Sequence, residues 1–316
     1  MAAVRTLLVV GCGAIGGLYA AALAGVARVV AFDLNADHVA AIRAEGLRIS
    51  GVSERLARIE AHDDPAALAG LPADAVLFLV KSAATGSALA AVAGALSRRP
   101  LLVTLQNGMG NSEELLASPL PVARGVSMDA ARYLGPGRIE HLISGRTSVG
   151  PVRADLADVT PFADLLTAAG LDAEVVADPM EAVWTKFVFN SVMNPIGALM
   201  LGVNAARYEV AEMRALIDDM ATECIAVVEG LGGRLGSDPL AYVRKVRSGA
   251  APLSKHAGSM ALDMTRGVPT EIDELTGFVV REGERLGIPV PISRTVCRLV
   301  KGMELARTRG AAYGAN

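Results

Sequence analysis

The sequence predicts an α/β protein in which a doubly wound, mainly parallel sheet is followed by an all-helical domain. Two observations carry this prediction. Short β-rich runs alternate with alanine-rich helical runs from residue 4 to about residue 150, which is typical of a parallel sheet covered by helices. Beyond Pro179 the β-rich runs stop and long helical patterns take over. We therefore expect one domain over residues 1–177 and a helical domain over residues 178–316.

Residues 7–33 read LLVVGCGAIGGLYAAALAGVARVVAFD, and no charged residue lies between Arg5 and Arg28. A run of about 20 apolar residues is long enough to span a bilayer. The glycines argue against that interpretation, because Gly11, Gly13 and Gly16 have G-x-G-x-x-G spacing between a β-rich run and a small-residue helix. A secretory signal peptide is a weaker alternative, since cleavage would destroy this strand–turn–helix unit.

The strand, glycine turn, helix and second strand form the fingerprint of a Rossmann-type dinucleotide-binding domain. Gly11 allows the tight turn, Gly13 lets the backbone approach a pyrophosphate, and Gly16 allows close helix–strand packing. The helix start offers its unpaired N–H groups to the phosphates. The predicted cofactor-binding turn comprises Gly11, Cys12, Gly13, Ala14, Ile15 and Gly16.

Asp33 ends the second predicted strand, about 20 residues after the glycines. A carboxylate at this position accepts hydrogen bonds from the adenosine ribose hydroxyls, and it would repel a 2′-phosphate. The sequence therefore predicts NAD as the preferred cofactor.

Strands are predicted at 6–10, 28–32, 75–80, 101–105, 121–126, 138–143 and 147–149. Parallel sheets bind ligands beyond the carboxyl ends of their strands. Polar clusters follow two of these strands, Lys81-Ser82 and Gln106-Asn107-Gly108. Lys81 is explained equally well by function and by turn chemistry, whereas the position of Asn107 favours function over an ordinary Asn-Gly turn. His62-Asp63-Asp64 is interpreted as a solvated loop.

Composition excludes several classes of protein. A formal net charge of −3 and a pI of about 5.9 give no basic surface of the kind that binds nucleic acid. Three widely spaced cysteines, Cys12, Cys224 and Cys297, indicate a reducing, cytoplasmic location without a disulfide framework. The four histidines show no metal-ligand spacing, so no metal site is predicted.

In the second domain, helices are predicted at 181–201, 206–231, 238–248, 270–286 and 292–307. A helical domain beside a nucleotide-binding sheet leaves a cleft in which small molecules bind. Lys186, Asn190 and Asn194 recur every four residues in the first of these helices, so they form one polar stripe. The other positions are almost all apolar, and buried polar groups need partners. We therefore expect the stripe to face a wet cleft rather than to form an ordinary solvent face.

The motif around Thr270 has a purely structural interpretation. Thr270 and Asp273 resemble a capping box, and Glu271 would fall in the first turn of the predicted helix 270–286. Taken alone, Glu271 is as well explained by this role as by function.

Together, these motifs resemble the ketopantoate reductase (2-dehydropantoate 2-reductase) family. The resemblance covers residues 4–300 and rests on the ordered set: the glycine motif, Val80-Lys81, Gln106-Asn107-Gly108, the Lys186/Asn190/Asn194-Pro195 helix, Asn204, and Ser259 with Asp263 before TEID at 270–273. It implies NADPH-dependent reduction of a small-molecule 2-oxo acid in pantothenate biosynthesis, and often a dimer. By position it also implies residue roles. Lys186 would be the general acid, and Glu271 would bind a substrate hydroxyl and orient the lysine. Asn190, Asn194, Asn204 and Ser259 would line the substrate, and Lys81 and Asn107 would lie where cofactor and substrate meet.

One position departs from the family pattern. The family typically has a basic residue after the second strand, where this chain has Asp33-Leu34-Asn35. NAD use, with NADP as the family alternative, is therefore the prediction, and it weakens the case for ketopantoate itself. Two alternatives stay open: a dehydrogenase of another hydroxy acid or alcohol on the same scaffold, and a non-catalytic dinucleotide-binding sensor.

Overall fold

The computed structural model describes residues 4–109, 113–201, 204–253 and 257–313. Contacts between Cα atoms divide the chain into two compact units. The first comprises Met1–Gln106 with Asn111–Pro179, and the second comprises Asn107–Gly110 with Met180–Asn316. The short loop after the strand at 101–104 thus belongs to the helical unit. The sequence predicts instead a single boundary between the domains at residue 177.

The first unit contains an eight-stranded sheet in the order β12-β11-β8-β7-β6-β1-β2-β5. All neighbouring pairs are parallel except β8 and β11. The first strand has β2 on one side and β6 on the other, so the strand order reverses there, as in a doubly wound fold. The strands of this sheet are β1 (Thr6–Val10), β2 (Arg28–Phe32), β5 (Glu60–His62), β6 (Ala75–Phe78), β7 (Leu101–Thr104), β8 (Val122–Ser127), β11 (Thr147–Arg153) and β12 (Ala173–Val175).

The sheet is buried on both faces because its side chains alternate between two apolar clusters. Leu7 and Val9 belong to one cluster, and Leu8 and Val10 belong to the other. The helices of this unit are α1 (Ala14–Leu23), α2 (Ala36–Glu45), α3 (Thr85–Ala91), α4 (Glu113–Ala117) and α5 (Leu156–Ala168). Residues of α1, α2 and α5 contribute to the first cluster, and residues of α3 and α4 contribute to the second.

A four-stranded sheet in the order β4-β3-β10-β9 completes the first unit. Its strands are β3 (Leu47–Gly51), β4 (Arg55–Ala57), β9 (Ala130–Gly135) and β10 (Arg138–Ile143). Of these only β10 is predicted from the sequence. His62, expected in a loop, ends β5 and pairs with Phe32 of β2, because the short run Glu60–His62 completes the edge of the larger sheet.

The described part of the second unit is helical, with α6 (Met180–Leu199), α7 (Asn204–Glu209), α8 (Ala211–Gly230), α9 (Ala241–Arg247), α10 (Ser259–Arg266), α11 (Thr276–Leu286) and α12 (Pro291–Tyr313). The single helix expected over 206–231 is wrong, because the chain leaves the helical conformation at Val210 (φ −75°, ψ 126°). The helix expected over 270–286 begins only at Thr276. Within the described ranges, no helix has the length and apolar character needed to span a membrane.

Candidate active site

The glycine turn joins β1 to α1 in the conformation that its spacing predicts. Gly11 has a φ of +86°, and a Cβ there would lie 2.7 Å from the backbone nitrogen of Val80. A Cβ on Gly16 would lie 1.8 Å from the carbonyl oxygen of Gly11, so this position must stay glycine. Gly13 differs, since nothing lies within 4 Å of its Cβ position. The turn therefore presents open backbone at Gly13 and is closely packed on either side of it.

Asp33 holds this turn through its carboxylate. One oxygen, Oδ2, accepts a 2.8 Å hydrogen bond from the backbone N–H of Cys12, and Oδ1 accepts a 2.9 Å bond from the N–H of Asn35. A carboxylate has about four acceptor positions, so two bonds leave acceptor capacity for ribose hydroxyls. Burial, and secondarily the Asp33 charge, raises the pKa of the Cys12 thiol, which is consistent with an inert packing role.

His38 also supports the turn, and sequence reasoning missed it. It is buried in α2, accepts a 2.9 Å bond from the N–H of Gly137 at Nδ1, and lies 2.8 Å from the carbonyl oxygen of Cys12 at Nε2. Because Nδ1 accepts, the neutral ring carries its proton on Nε2 and donates it to Cys12. No sequence signal at His38 points to this bridge, because its partners lie 26 and 99 residues away.

Gln106 joins the ends of two neighbouring strands. Its amide Nε2 donates to the carbonyl of Val80 (2.8 Å) and to the hydroxyl of Thr85 (3.0 Å). Its Oε1 accepts a 2.9 Å bond from the hydroxyl of Thr104. The bond to Val80 fixes the backbone just before Lys81, which is exposed and precedes a 3₁₀ turn at Ser82–Ala84. Gln106 thus has a structural role, although it belongs to the polar cluster Gln106-Asn107-Gly108 that lies where a parallel sheet is expected to bind ligands.

In the second unit, Lys186, Asn190 and Asn194 lie on α6 as the spacing predicts. Lys186 and Asn194 are half-buried, and Asn190 is only 7% exposed. An ordinary solvent face does not bury an asparagine, because an amide removed from water is costly. The burial pattern therefore excludes the interpretation of the polar stripe as an ordinary solvent face.

Glu271 lies before α11, in the turn at 270–275. The capping box expected at Thr270 and Asp273 is wrong, because the chain forms this non-helical turn first and the helix begins at Thr276. The Thr270 hydroxyl instead accepts a 3.2 Å bond from the N–H of Ile272. Two side chains of α12 hold the turn: Glu304 accepts from the Thr270 N–H at 2.8 Å, and Lys301 pairs with Asp273 at 2.7 Å.

The loop that contains Asn107 packs against the same turn. The N–H of Met109 donates a 3.4 Å bond to the carbonyl of Glu274, and a Cβ on Gly108 would lie 3.1 Å from that oxygen. Glycine is required at position 108, where φ is +85°. The loop that contains Asn107 and the turn that contains Glu271 thus pack against each other within the second unit.

Two further predicted residues lie at helix starts. Ser259 is exposed and begins α10, after Gly258 with a φ of +96°. Asn204 begins α7, and its side chain lies outside the described part of the structure.

Comparison with known proteins gives one consistent family. Residues 7–154 match the model described as ketopantoate reductase PanE/ApbA, and residues 178–304 match its C-terminal counterpart. A 2-dehydropantoate 2-reductase of Halobacterium salinarum is 32% identical over 302 residues, covering 93% of this chain and 97% of that protein. One from Mesorhizobium japonicum is 30% identical, covering 95% and 98%.

Solved structures agree in fold. A PanE/ApbA family ketopantoate reductase from Ralstonia eutropha matches with a TM-score of 0.85 and 31% identity, covering 96% of this chain and all of that one. A D-mandelate dehydrogenase, in a ternary structure with NADH and anilino(oxo)acetate, also has a TM-score of 0.85, but at 21% identity it shows likeness of fold alone. The predicted fold class and the family resemblance are both confirmed. This chain belongs to the ketopantoate reductase family of oxidoreductases.

Proposed function

We propose that this oxidoreductase transfers a hydride between a nicotinamide dinucleotide and a 2-oxo or 2-hydroxy acid, with ketopantoate as the first substrate to test. The observation that carries the proposal is the polar stripe of α6, which combines a half-buried lysine, Lys186, with a buried asparagine, Asn190. The 2-dehydropantoate 2-reductases of Halobacterium and Mesorhizobium support the same substrate class.

Lys186 is the proposed general acid. Reduction of a carbonyl develops negative charge on its oxygen, and an ammonium held there stabilises that charge and donates the proton. Asn190 and Asn194 bind hydroxyl and carboxylate groups without adding a charge that competes with the lysine. Glu271 is the proposed partner of a substrate hydroxyl, and the turn that contains it is held by bonds from Thr270 and Asp273 to α12.

The glycine turn fits a dinucleotide. The open Cβ position of Gly13 leaves room for a pyrophosphate beside backbone N–H groups at the start of α1. The bound nicotinamide supplies or accepts the hydride. Lys81 and Asn107 are the proposed contacts near the reacting end of the cofactor, and Ser259 and Asn204 are the remaining proposed substrate contacts.

We further propose that NAD is the preferred cofactor. Support comes from the hydrogen bonds that Asp33 accepts from the backbone N–H groups of Cys12 and Asn35, since they hold its carboxylate at the end of β2, where we expect the adenosine ribose to bind. The test compares kcat/KM for NADH and NADPH in the wild type and in Asp33→Ser. Removing the carboxylate should shift the preference towards NADPH by about tenfold or more, equivalent to about 1.4 kcal/mol. A wild type that prefers NADPH strongly would contradict this use of Asp33.

Lys186→Ala tests catalysis directly. Turnover should fall by about 10² to 10⁴, the usual contribution of a general acid, while the Kd for NADH stays within about twofold. Lys186→Arg is the matched control for charge, because guanidinium keeps the positive charge but does not give up its proton. Cofactor binding without turnover of any oxo acid in the wild type would instead support a dinucleotide sensor.

A second candidate is an NAD-dependent dehydrogenase of another hydroxy acid, and Asp33 is the observation that favours it. A panel of 2-oxo acids offered beside ketopantoate separates the two candidates by kcat/KM. We also propose a homodimer, from the family resemblance, and a cytoplasmic location, which the three free, buried cysteines support. Light scattering on the purified protein tests the dimer.

A further inference from the structure

His38 joins the glycine turn to the four-stranded sheet through a single side chain. It belongs to α2 and is only 1% exposed. At Nδ1 the ring accepts a 2.9 Å hydrogen bond from the N–H of Gly137, in the turn between β9 and β10, and at Nε2 it lies 2.8 Å from the carbonyl oxygen of Cys12. The Tyr133 ring of β9 packs against it in an edge-to-face arrangement, with the two ring centres 5.1 Å apart. The imidazole is therefore held from several sides.

The surroundings of His38 fix both its orientation and its proton. A backbone N–H can only donate, so the bond from Gly137 requires an unprotonated Nδ1, and the neutral ring then carries its proton on Nε2. Gly137 is itself held, because its carbonyl accepts a 2.8 Å bond from the N–H of Arg48 in β3, and a Cβ there would lie 3.2 Å from the Cβ of Ala41 in α2. The single donor of the ring is thus aimed at Cys12.

Cys12 is consequently fixed at both of its backbone polar groups. Its N–H donates to Asp33, and its carbonyl accepts from His38. The helix α1 does not use this carbonyl, since the first hydrogen bond of the helix runs from the N–H of Gly17 to the carbonyl of Gly13. The peptide between Cys12 and Gly13 is planar and trans, so the N–H of Gly13 points in the direction opposite to the Cys12 carbonyl. Because that carbonyl faces the buried ring, the N–H of Gly13 faces away from it.

We infer that His38 is a positioning residue for the cofactor: by holding the Cys12 carbonyl, it aims the N–H of Gly13 at the pyrophosphate. A hydrogen bond to a phosphate weakens when its N–H points away from the oxygen, so the orientation of this peptide decides how much the bond contributes. Glycine at position 13 makes the peptide easy to rotate, because the glycine backbone has the widest range of conformations. His38 limits that rotation without touching the cofactor itself. The inference rests on the proposed binding of the cofactor at the glycine turn.

Two amide variants separate the two bonds of His38. In His38→Gln the side-chain nitrogen can reach the position of Nε2 and donate to Cys12, but the acceptor for Gly137 is lost. In His38→Asn the side-chain oxygen can replace Nδ1 as the acceptor for Gly137, but the donor to Cys12 is lost. The Kd for NADH, measured by calorimetry on the full-length protein well below each Tm, should stay within about threefold of the wild type in His38→Gln and rise by about tenfold in His38→Asn. Each variant loses one buried hydrogen bond, so their losses in free energy of unfolding should be similar.

Steady-state kinetics gives a second measurement of the same effect. Because His38 acts on cofactor binding and not on the hydride transfer, His38→Asn should raise KM for NADH by about tenfold and leave kcat at saturating NADH within about twofold. A lowered kcat with an unchanged KM for NADH would contradict the inference.

The pair of variants distinguishes positioning from a purely structural role. Equal losses of NADH affinity in both variants, in step with their Tm, would show that His38 is only structural and overturn the inference. A loss of about tenfold in His38→Gln overturns it whether or not the asparagine variant folds. Unchanged NADH affinity in His38→Asn also overturns it but leaves the proposed function standing, whereas a wild type that binds neither NADH nor NADPH refutes both.

Discussion

The hydroxyl of Thr276 donates a 2.8 Å hydrogen bond to the carbonyl of Ser191, in the middle of α6. In an uninterrupted helix the N–H of residue 195 would bond to this carbonyl, but residue 195 is proline and has no N–H. Thr276 begins α11 directly after the turn that contains Glu271. The proline in α6 therefore leaves the Ser191 carbonyl free to accept the Thr276 hydroxyl. This hydrogen bond holds the turn that contains Glu271 against the helix that carries the polar stripe.

Thr276→Val should destabilise the protein by about 1–3 kcal/mol. Valine has nearly the same shape, but it leaves a buried carbonyl unsatisfied, and Thr276 itself is fully buried. Urea unfolding measures the loss. Turnover should fall as well, because the turn with Glu271 loses a fixed point.

Pro195→Ala in the same background is the control. Alanine returns an N–H that bonds to Ser191 from within α6, so the double variant should recover at least part of the lost free energy of unfolding. Strictly additive effects of the two substitutions would contradict the shared acceptor.

Two alanine substitutions in the glycine turn should have different consequences. Gly16→Ala forces a Cβ to within 1.8 Å of a backbone oxygen, so it should lower the Tm and abolish NADH binding together. The Cβ of Gly13→Ala meets no atom within 4 Å, so this variant should still fold. It should nevertheless weaken NADH binding by tenfold or more, about 1.4 kcal/mol, because the methyl group occupies the proposed pyrophosphate position. Unchanged NADH affinity in Gly13→Ala would contradict the proposal that the cofactor binds at this turn.

The sequence predicts the central strands well and the edge strands poorly. β1 and β2 have the bounds that the sequence predicts, because a parallel strand buried on both faces is a continuous apolar run. The strands β4, β5 and β12 have only three residues each, and all but two of these nine residues are half-buried or exposed. Their pairing depends on neighbours distant in sequence, so no local pattern reveals them.

The same division applies to the candidate site. The glycine turn and the polar stripe follow from spacing, since helical and turn geometry fix the relation of nearby residues. His38 bonds to groups 26 and 99 residues away, so its surroundings are set by the tertiary fold. Thr270 is the opposite case. The local sequence predicts a capping motif there, but contacts with α12 hold the segment as a non-helical turn.

The pair between Asp238 and Arg244 should make stability depend on acid pH. The hydrogen bond from Arg244 holds the pKa of the Asp238 carboxyl below its ordinary value. The ionised form therefore stabilises the folded state above the unfolded pKa of about 4, and this contribution is lost as pH falls through the lower folded pKa. Because the pair is largely exposed, we expect it to contribute about 1 kcal/mol or less to the free energy of unfolding.

Asp238→Asn keeps the oxygen that accepts from Leu240, and its deficit in free energy of unfolding at pH 7 should shrink at pH 3. A deficit that is constant with pH would contradict the assignment.

Substitution of Asp129 should strongly destabilise the first unit. Asp129 lies between β8 of the large sheet and β9 of the small one, and its buried carboxylate accepts from Tyr19 (3.0 Å), Ser127 (2.9 Å) and the N–H of Gly145 (3.1 Å). Burial, and secondarily the Asp129 charge, raises the pKa of Tyr19, so the phenol stays a donor.

Asp129→Ala leaves several buried donors unsatisfied and should cost at least about 3 kcal/mol in urea unfolding. Tyr19→Phe leaves the carboxylate its other partners but also removes the hydrogen bond between Tyr19 and the buried Thr147 hydroxyl, so it should cost about 1–2 kcal/mol. An alanine variant as stable as Tyr19→Phe would show that the carboxylate does not organise this junction between the two sheets.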